Sequence, residues 1–229
     1  MWLLAVYAHT SLFSLKNSAA TSSGAKTNLV PTMYAVKMAL VDAAFRLDGE
    51  GAEAFDLVKA LPVRFRPPEY AVVNNTMVKI LRQPKDLKAG PPFISSVAYR
   101  ELAFFGGDLT VAVGVAGLRE PEVARLRQLL LHVNHFGKRG SFVQLKGFEE
   151  VAEPGPAFSF VAGDGTPSVG ADLIVQHLDD VGPRVSFEAV NTYSDSPARL
   201  GRDRVLVPVA LPYRKLASSR GYTLFRRTA

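Results

Sequence analysis

The chain has 229 residues, 48% of them hydrophobic and 21% charged, with a net charge of +6. That length fits one compact domain with an extension, or two small ones, and the balance of apolar and charged residues excludes a disordered chain. No cysteine is present, which removes disulfides, thiolate metal sites and a cysteine nucleophile together.

Residues 2–9, apolar and rich in β-formers, predict a central strand. The opening eight residues lack a basic flank and are too short for a membrane span, so they read as that strand and not as a signal peptide. Residues 10–30 form a polar loop, after which Pro31 and Thr32 open an apolar helix to about Arg46, with Thr32 as N-cap. Only Lys37, Asp42 and Arg46 are clearly polar in it, so burial on most sides is expected. A second helical stretch covers 52–61. A strand over 63–66 is broken by Pro67-Pro68.

Residues 69–94 carry Lys79, Arg82, Lys85 and Lys88, a turn candidate at Asn74-Asn75, and three prolines. They read as a projecting hairpin or arm at about 67–96. Strands at 97–105 and 109–115 follow, parted by Gly106-Gly107-Asp108. Residues 120–133 predict a helix with Pro121 in its first turn and Val123, Leu126, Leu130 and Val133 on one face. The loop 134–140 leads to a strand at 141–145. Beyond about Val151 come short strands, such as 185–190 and 204–210, between Gly- and Pro-containing turns.

This order is β-α-β, an arm, then β-α-β. It predicts an α+β fold with a ferredoxin-like (RRM-like, split βαβ) domain over residues 1–150 and a β-rich C-terminal part over 151–229 packed on it.

Gly24-Ala25-Lys26-Thr27 lies between a strand and a helix as a phosphate-binding loop would, but it lacks the required glycine five residues before Gly24. Lys26 still suits an anion at a helix start. In Gly137-Lys138-Arg139-Gly140-Ser141, two glycines let backbone amides approach a ligand and two cations supply charge, while Phe136 and Phe142 offer stacking faces. The same loop also fits a helix C-cap at Gly137 with solvated cations. The histidines His9, His132, His135 and His177 show no metal-ligand spacing beyond a loose His132/His135 pair, so no metal and no cofactor are expected. No serine sits in a nucleophile elbow.

Residues 199–229 hold eight cations against Asp203 alone, whereas 146–195 hold nine carboxylates against Lys146 and Arg184. A concentrated basic surface attracts phosphate backbones through counterion release. The acidic segment suits a protein neighbour or solvent. Residues 211–222 interleave Arg214, Lys215 and Arg220 with Tyr213 and Tyr222, the composition of a single-strand-binding surface or of a charged edge strand.

Residues 95–113, SSVAYRELAFFGGDLTVAV, resemble a strand of the Cas-five family of CRISPR-associated proteins that reads W or Y, R-E, an apolar residue, D, then F-x-V-A-L. The helix at 123–131 followed by FGKRGSF at 136–142 is similar to that family's helix and L-G-R-R-S loop. KTNLVPT at 26–32 resembles its R-F-P-T entry to the first helix. The three occur in the family's order, over about residues 1–150.

The resemblance implies an RRM-like ferredoxin domain with a thumb hairpin, here the arm. It further implies a non-catalytic subunit of a Cascade-type surveillance complex that caps the 5′ handle of the guide RNA (crRNA) in antiviral defence. Its partners would be crRNA, the large subunit and the first backbone subunit. Target DNA would be met only indirectly, with no membrane and no small-molecule substrate involved, in a prokaryotic cytoplasm. The RNA-binding residues so implied, together with the basic segments above, are Lys16, Lys26, Asn28, Lys79, Arg82, Lys138, Arg139, Ser141, Arg214, Lys215, Arg220 and Tyr222. One family branch instead cuts precursor guide RNA without metal, through tyrosine, lysine and histidine side chains. Tyr34, His135 and Lys138 are the counterparts for that alternative, although the branch's adjacent Lys-His pair is missing. A structural ribonucleoprotein component with an RRM-like sheet is the remaining alternative.

Overall fold

The structure is a computed structural model, and it describes residues 1–18, 20, 24–84, 92–161, 172–195 and 198–228. Lys85 and Lys88 of the expected arm and Asp164 of the acidic segment lie outside the described residues. The first half of the chain runs β1 (Trp2–His9), β2 (Gly24–Ala25), α1 (Met33–Leu47), α2 (Gly51–Val58), β3 (Val63–Arg66), β4 (Tyr70–Arg82), β5 (Ile94–Gly106) and β6 (Leu109–Gly114). It continues with α3 (Glu120–His132), β7 (Val143–Val151), β8 (Phe160–Val161), β9 (Ile174–Val181), α4 (Phe187–Val190), β10 (Arg204–Leu211), β11 (Tyr213–Ser218) and β12 (Tyr222–Arg227).

β1 sits inside a four-stranded sheet of order β3-β6-β1-β7 in which every pair is antiparallel. Its alternation decides what each face meets. Leu3, Ala5 and Tyr7 enter the main core, where the Tyr7 hydroxyl donates to Leu130 O of α3 at 2.7 Å. Trp2 and Leu4 face the other way and pack with Ala112 and Phe158. α1 starts where its cap requires: Thr32 Oγ1 accepts from Ala35 N at 3.1 Å, satisfying one of the free amides of the first turn.

The long strands β4 and β5 form one hairpin, in register from Tyr70↔Gly106 to Arg82↔Ile94. They are the middle of a second sheet, β11-β12-β4-β5-β2, antiparallel except for the short β2–β5 contact. A third sheet has the order β8-β10-β9. The fold is therefore mixed α and β with mostly antiparallel sheets, as the α+β expectation held. Leu178, Val181, Val209, Leu211 and Tyr213 from the C-terminal part share one buried cluster with residues of β1, α1 and α3. No helix among the described residues is long and apolar enough to cross a membrane.

Several expected elements differ. Asn74-Asn75 is no turn: both residues pair inside β4, opposite Leu102 and Glu101, and the strand pairing continues to Arg82↔Ile94. The arm's second strand runs on through 97–105, because that stretch joins the exposed distal hairpin to the buried base without a break. The strand expected at 185–190 is instead the single helical turn α4, held by a bond from Asn191 N to Phe187 O. The strand expected at 141–145 continues as β7 to Val151, and the acidic segment holds the unexpected β9.

Candidate nucleic-acid interface

The loop after α3 is shaped by its glycines. Gly137 has φ 72° and Gly140 φ 104°, left-handed values that disfavour a side chain. A Cβ on Gly137 would also lie 2.8 Å from Leu15 Cδ1. The loop is laced to the segment following β1. Ser11 Oγ donates to Gly140 O at 2.6 Å and accepts from Phe142 N at 2.7 Å, and Ser14 N donates to Ser141 Oγ at 3.2 Å. Lys138 and Arg139 stand exposed at its tip. Neither forms an ion pair among the described residues.

Three expected contact residues turn inward. Ser141 is buried and its hydroxyl is spent on Ser14. Asn28 is buried, its Oδ1 accepting from Asn17 Nδ2 at 3.0 Å and its backbone N–H donating to Leu15 O at 2.8 Å. Both are buried and hold loops in place. Phe136, expected as a stacking face, is fully buried edge-on to Tyr7 at 5.1 Å. Phe142 is the aromatic left exposed there.

The segment 10–28 also ties the basic loop to the arm. Phe13 and Ala103 exchange backbone bonds of 2.9 and 2.8 Å, and Thr27 N donates to Glu101 Oε2 at 2.8 Å. Lys16 bridges Thr27 through its backbone, and Lys16 and Lys26 are exposed. These cations, the 138–139 pair and the β5 side of the arm therefore form one connected region. Lys79 and Arg82 lie farther out on β4, also exposed, opposite Val97 and Ile94. The C-terminal cations lie across the hairpin. Arg214 and Lys215 sit on the edge strand β11, while Arg220 and Tyr222 lie beside β4, with Asn75 Nδ2 donating to Arg220 O at 3.3 Å.

A cleft of about 290 Å³ opens at the start of α1, lined by Thr32, Tyr34, Asp42, His135, Gly137 and Arg204 among others. The Arg204 guanidinium stacks 4.6 Å from the Tyr34 ring centroid, and its Nε donates to Asp179. Burial pushes the Tyr34 hydroxyl above its ordinary pKa, with Arg204 opposing and Asp179 adding to the rise. His135 Nδ1 lies 2.7 Å from Asn134 Oδ1, an acceptor, so Nδ1 is the donor in that contact. The cleft thus gathers Tyr34 and His135, and Lys138 follows one residue beyond Gly137. Sequence reasoning missed Arg204 as a site residue; its only local signal was membership of the C-terminal cation excess. His132 is turned to Gln128 O, and among the described residues no cluster of His, Asp or Glu suits a metal ion.

No family model matches the chain. It is 24% identical over 204 residues to the CRISPR-associated protein Cas5 of Archaeoglobus fulgidus, covering 86% of this chain and 87% of that protein. The chain is similar to Cas5. The resemblance to the Cas-five family is borne out by this relative. A crystal structure of a CRISPR protein from Archaeoglobus fulgidus aligns with 100% of this chain and 92% of its own, at 13% identity and a TM-score of 0.47. A Cas5 alignment of 204 residues cannot fit within the first 150. The similarity to Cas5 therefore extends into the C-terminal part, where no motif was recognised.

Proposed function

We propose that the chain is a CRISPR-associated RNA-binding subunit that holds the 5′ handle of a guide RNA within a Cascade-type complex, without cutting it. The relationship to Cas5 supports the CRISPR setting. The observation that carries RNA binding is the laced loop 137–141, which presents Lys138 and Arg139, unpaired with any carboxylate among the described residues, beside the cations of segment 16–26. The order β3-β6-β1-β7, all antiparallel, with α1 following β1 and α3 joining β6 to β7, supports reading that sheet as a ferredoxin-like core. The β4–β5 hairpin is then its thumb, and residues 151–229 its β-rich extension. On this reading the large and backbone subunits are its protein partners, and it works in a prokaryotic cytoplasm.

Repeat RNA incubated with the purified protein in EDTA should stay intact. Charge reversal by Lys138→Glu with Arg139→Glu should weaken RNA binding and lower the magnitude of its salt slope by about 1.4, or 0.7 per lost phosphate contact. An unchanged slope would remove that loop from the site. Co-expression with neighbouring subunits should yield a particle holding RNA of one length, and an RNA-free particle would favour the structural-component reading.

One observation favours a second reading, metal-independent cleavage of precursor guide RNA. Tyr34 and His135 share the α1 cleft, and an imidazole beside a bound strand is the side chain best suited to take a proton from a 2′-hydroxyl. Discrete cleavage in EDTA that His135→Ala abolishes would establish it.

A further inference from the structure

Arg204 reaches the cleft at the start of α1 from the C-terminal part of the chain, as the first residue of β10. β10 pairs with β9 so that Leu206 faces Asp179 and Arg204 faces Val181. Arg204 and Asp179 are therefore diagonal neighbours on one face of the sheet, within reach of a long side chain. Asp179 is buried and accepts from Nε, while the guanidinium carbon lies over the Tyr34 ring.

A guanidinium anchored through Nε, with its Cζ over a ring, keeps the fork of its two terminal nitrogens for another partner. Neither terminal nitrogen makes a hydrogen bond among the described residues. That fork matches two oxygens of a phosphate and, already oriented, loses little freedom on binding one. The cleft's 290 Å³ puts it at the lower edge of small-ligand pockets, room for about one nucleotide. Its one wall carboxylate among the described residues, Asp42, is paired with Arg46 at 2.9 Å, so Arg204 and His135 set the polar character of the mouth.

We propose that this cleft is a nucleotide-phosphate subsite of the bound RNA, in which Arg204 grips a phosphate with both terminal nitrogens, Tyr34 supports the guanidinium and Asp179 aims it. The proposal rests on the RNA-binding reading above and adds a part of that site supplied by the C-terminal strands. The phosphate is either an internal phosphodiester or a 5′-terminal phosphate; the chemistry recognised is shared.

The test is fluorescence anisotropy with repeat-derived single-stranded RNA bearing either a 5′-hydroxyl or a 5′-phosphate, across a salt series, with melting temperatures to show that each variant folds. Arg204→Ala should weaken binding about tenfold and lower the magnitude of the salt slope by about 0.7. Arg204→Gln, which keeps length and packing without charge, should do the same and covers the case in which the alanine variant misfolds. Asp179→Asn is the sharper arm. Removing a negative charge beside RNA should tighten binding if Asp179 acts only through its field, but should weaken it if Asp179 aims Arg204. Equal binding of the two RNAs by the wild type marks an internal phosphate. Preference for the 5′-phosphate, lost in Arg204→Ala, marks a terminal one. Wild-type affinity and slope in both folded Arg204 variants would overturn the subsite while leaving RNA binding by the 137–141 loop intact. A wild type that binds neither RNA would end both.

Discussion

His9 ends β1 with both ring nitrogens shut away from solvent and without a hydrogen-bond partner among the described residues. Its ring lies 4.5 Å from that of Phe105 and 5.9 Å from that of Phe13, at the base of the arm. Charging an imidazole there removes its hydration, so burial draws its pKa from 6.5 down to about 4, with Asp108 opposing. The unfolded chain therefore takes up the proton first as pH falls. Stability from this residue is whole above pH 6.5 and is lost between 6.5 and about 4. At pH 5 the loss amounts to about 2 kcal/mol. His9→Phe keeps an aromatic ring that cannot ionise. Urea unfolding at pH 7 and at pH 5 should show the variant losing about 2 kcal/mol less than the wild type on acidification; equal losses would mean that His9 is charged in the fold without penalty.

Among elements, α1 is the hub, and one side chain shows how it binds both halves of the chain. Lys37 is almost fully buried, and its ammonium donates to Asp180 on β9 at 2.8 Å and to Lys59 O after α2 at 2.9 Å. Burial holds the Asp180 carboxyl above its usual range, and Lys37 opposes that rise. Removing one partner of such a pair leaves the other charge stranded, so Lys37→Met should cost roughly 3 kcal/mol in urea unfolding. Adding Asp180→Asn, which still accepts from Val181 N, should restore a good part of it; additive losses would show that the two residues are not coupled. Lys37 was legible only as a polar position in an apolar helix, because its partner lies 143 residues away. Two helices were readable: α1 and α3 carry their start signals and apolar faces locally, and the structure places them within a residue or so of expectation, whereas the single turn α4 was expected as a strand. β4 and β5 were misread where apolar residues continue from a buried base onto an exposed arm, since alternation reports one face of a strand and not what covers it. β9 and β12 gave little local signal, and β12 is placed by pairing with β4 far back in the chain; β11 is the charged edge strand that was one of the two readings of residues 211–222.

Over the whole molecule, charge is sorted by pairing more than by segment. Glu150, Glu153, Asp179 and Asp180 of the acidic stretch are taken up by Arg127, Arg64, Arg204 and Lys37. Lys16, Lys26, Lys79, Arg82, Lys138 and Arg139 have no such partner among the described residues, and neither have Arg214, Lys215 and Arg220, so positive charge is expressed both along the segment joining the basic loop to the arm and on the β11–β12 hairpin. That much of the candidate site was readable, because glycine-flanked cations declare themselves locally. The inward turn of Asn28, Ser141 and Phe136, and the arrival of Arg204, depend on contacts that no local pattern encodes. The arm is where stability and function separate most clearly. Ala71, Val73, Ala103 and Phe105 bury its base, whereas Met77, Leu81, Val97 and Tyr99 on the same face of the distal ribbon are more than half exposed. The distal half therefore adds little to the core, and its apolar and cationic side chains are available to a ligand. Replacing residues 79–97 by Asn-Gly between Val78 and Ala98, which already pair, supplies a two-residue hairpin turn. The shortened protein should melt cooperatively within about 4 °C of the wild type, the shift expected for about 1 kcal/mol in a chain of this size. Its affinity for single-stranded RNA should fall, and the salt slope should flatten by about 0.7 for each arm cation that meets a phosphate. Loss of cooperative melting would mean that the arm belongs to the core after all, and an unchanged slope would assign its cations to solvent.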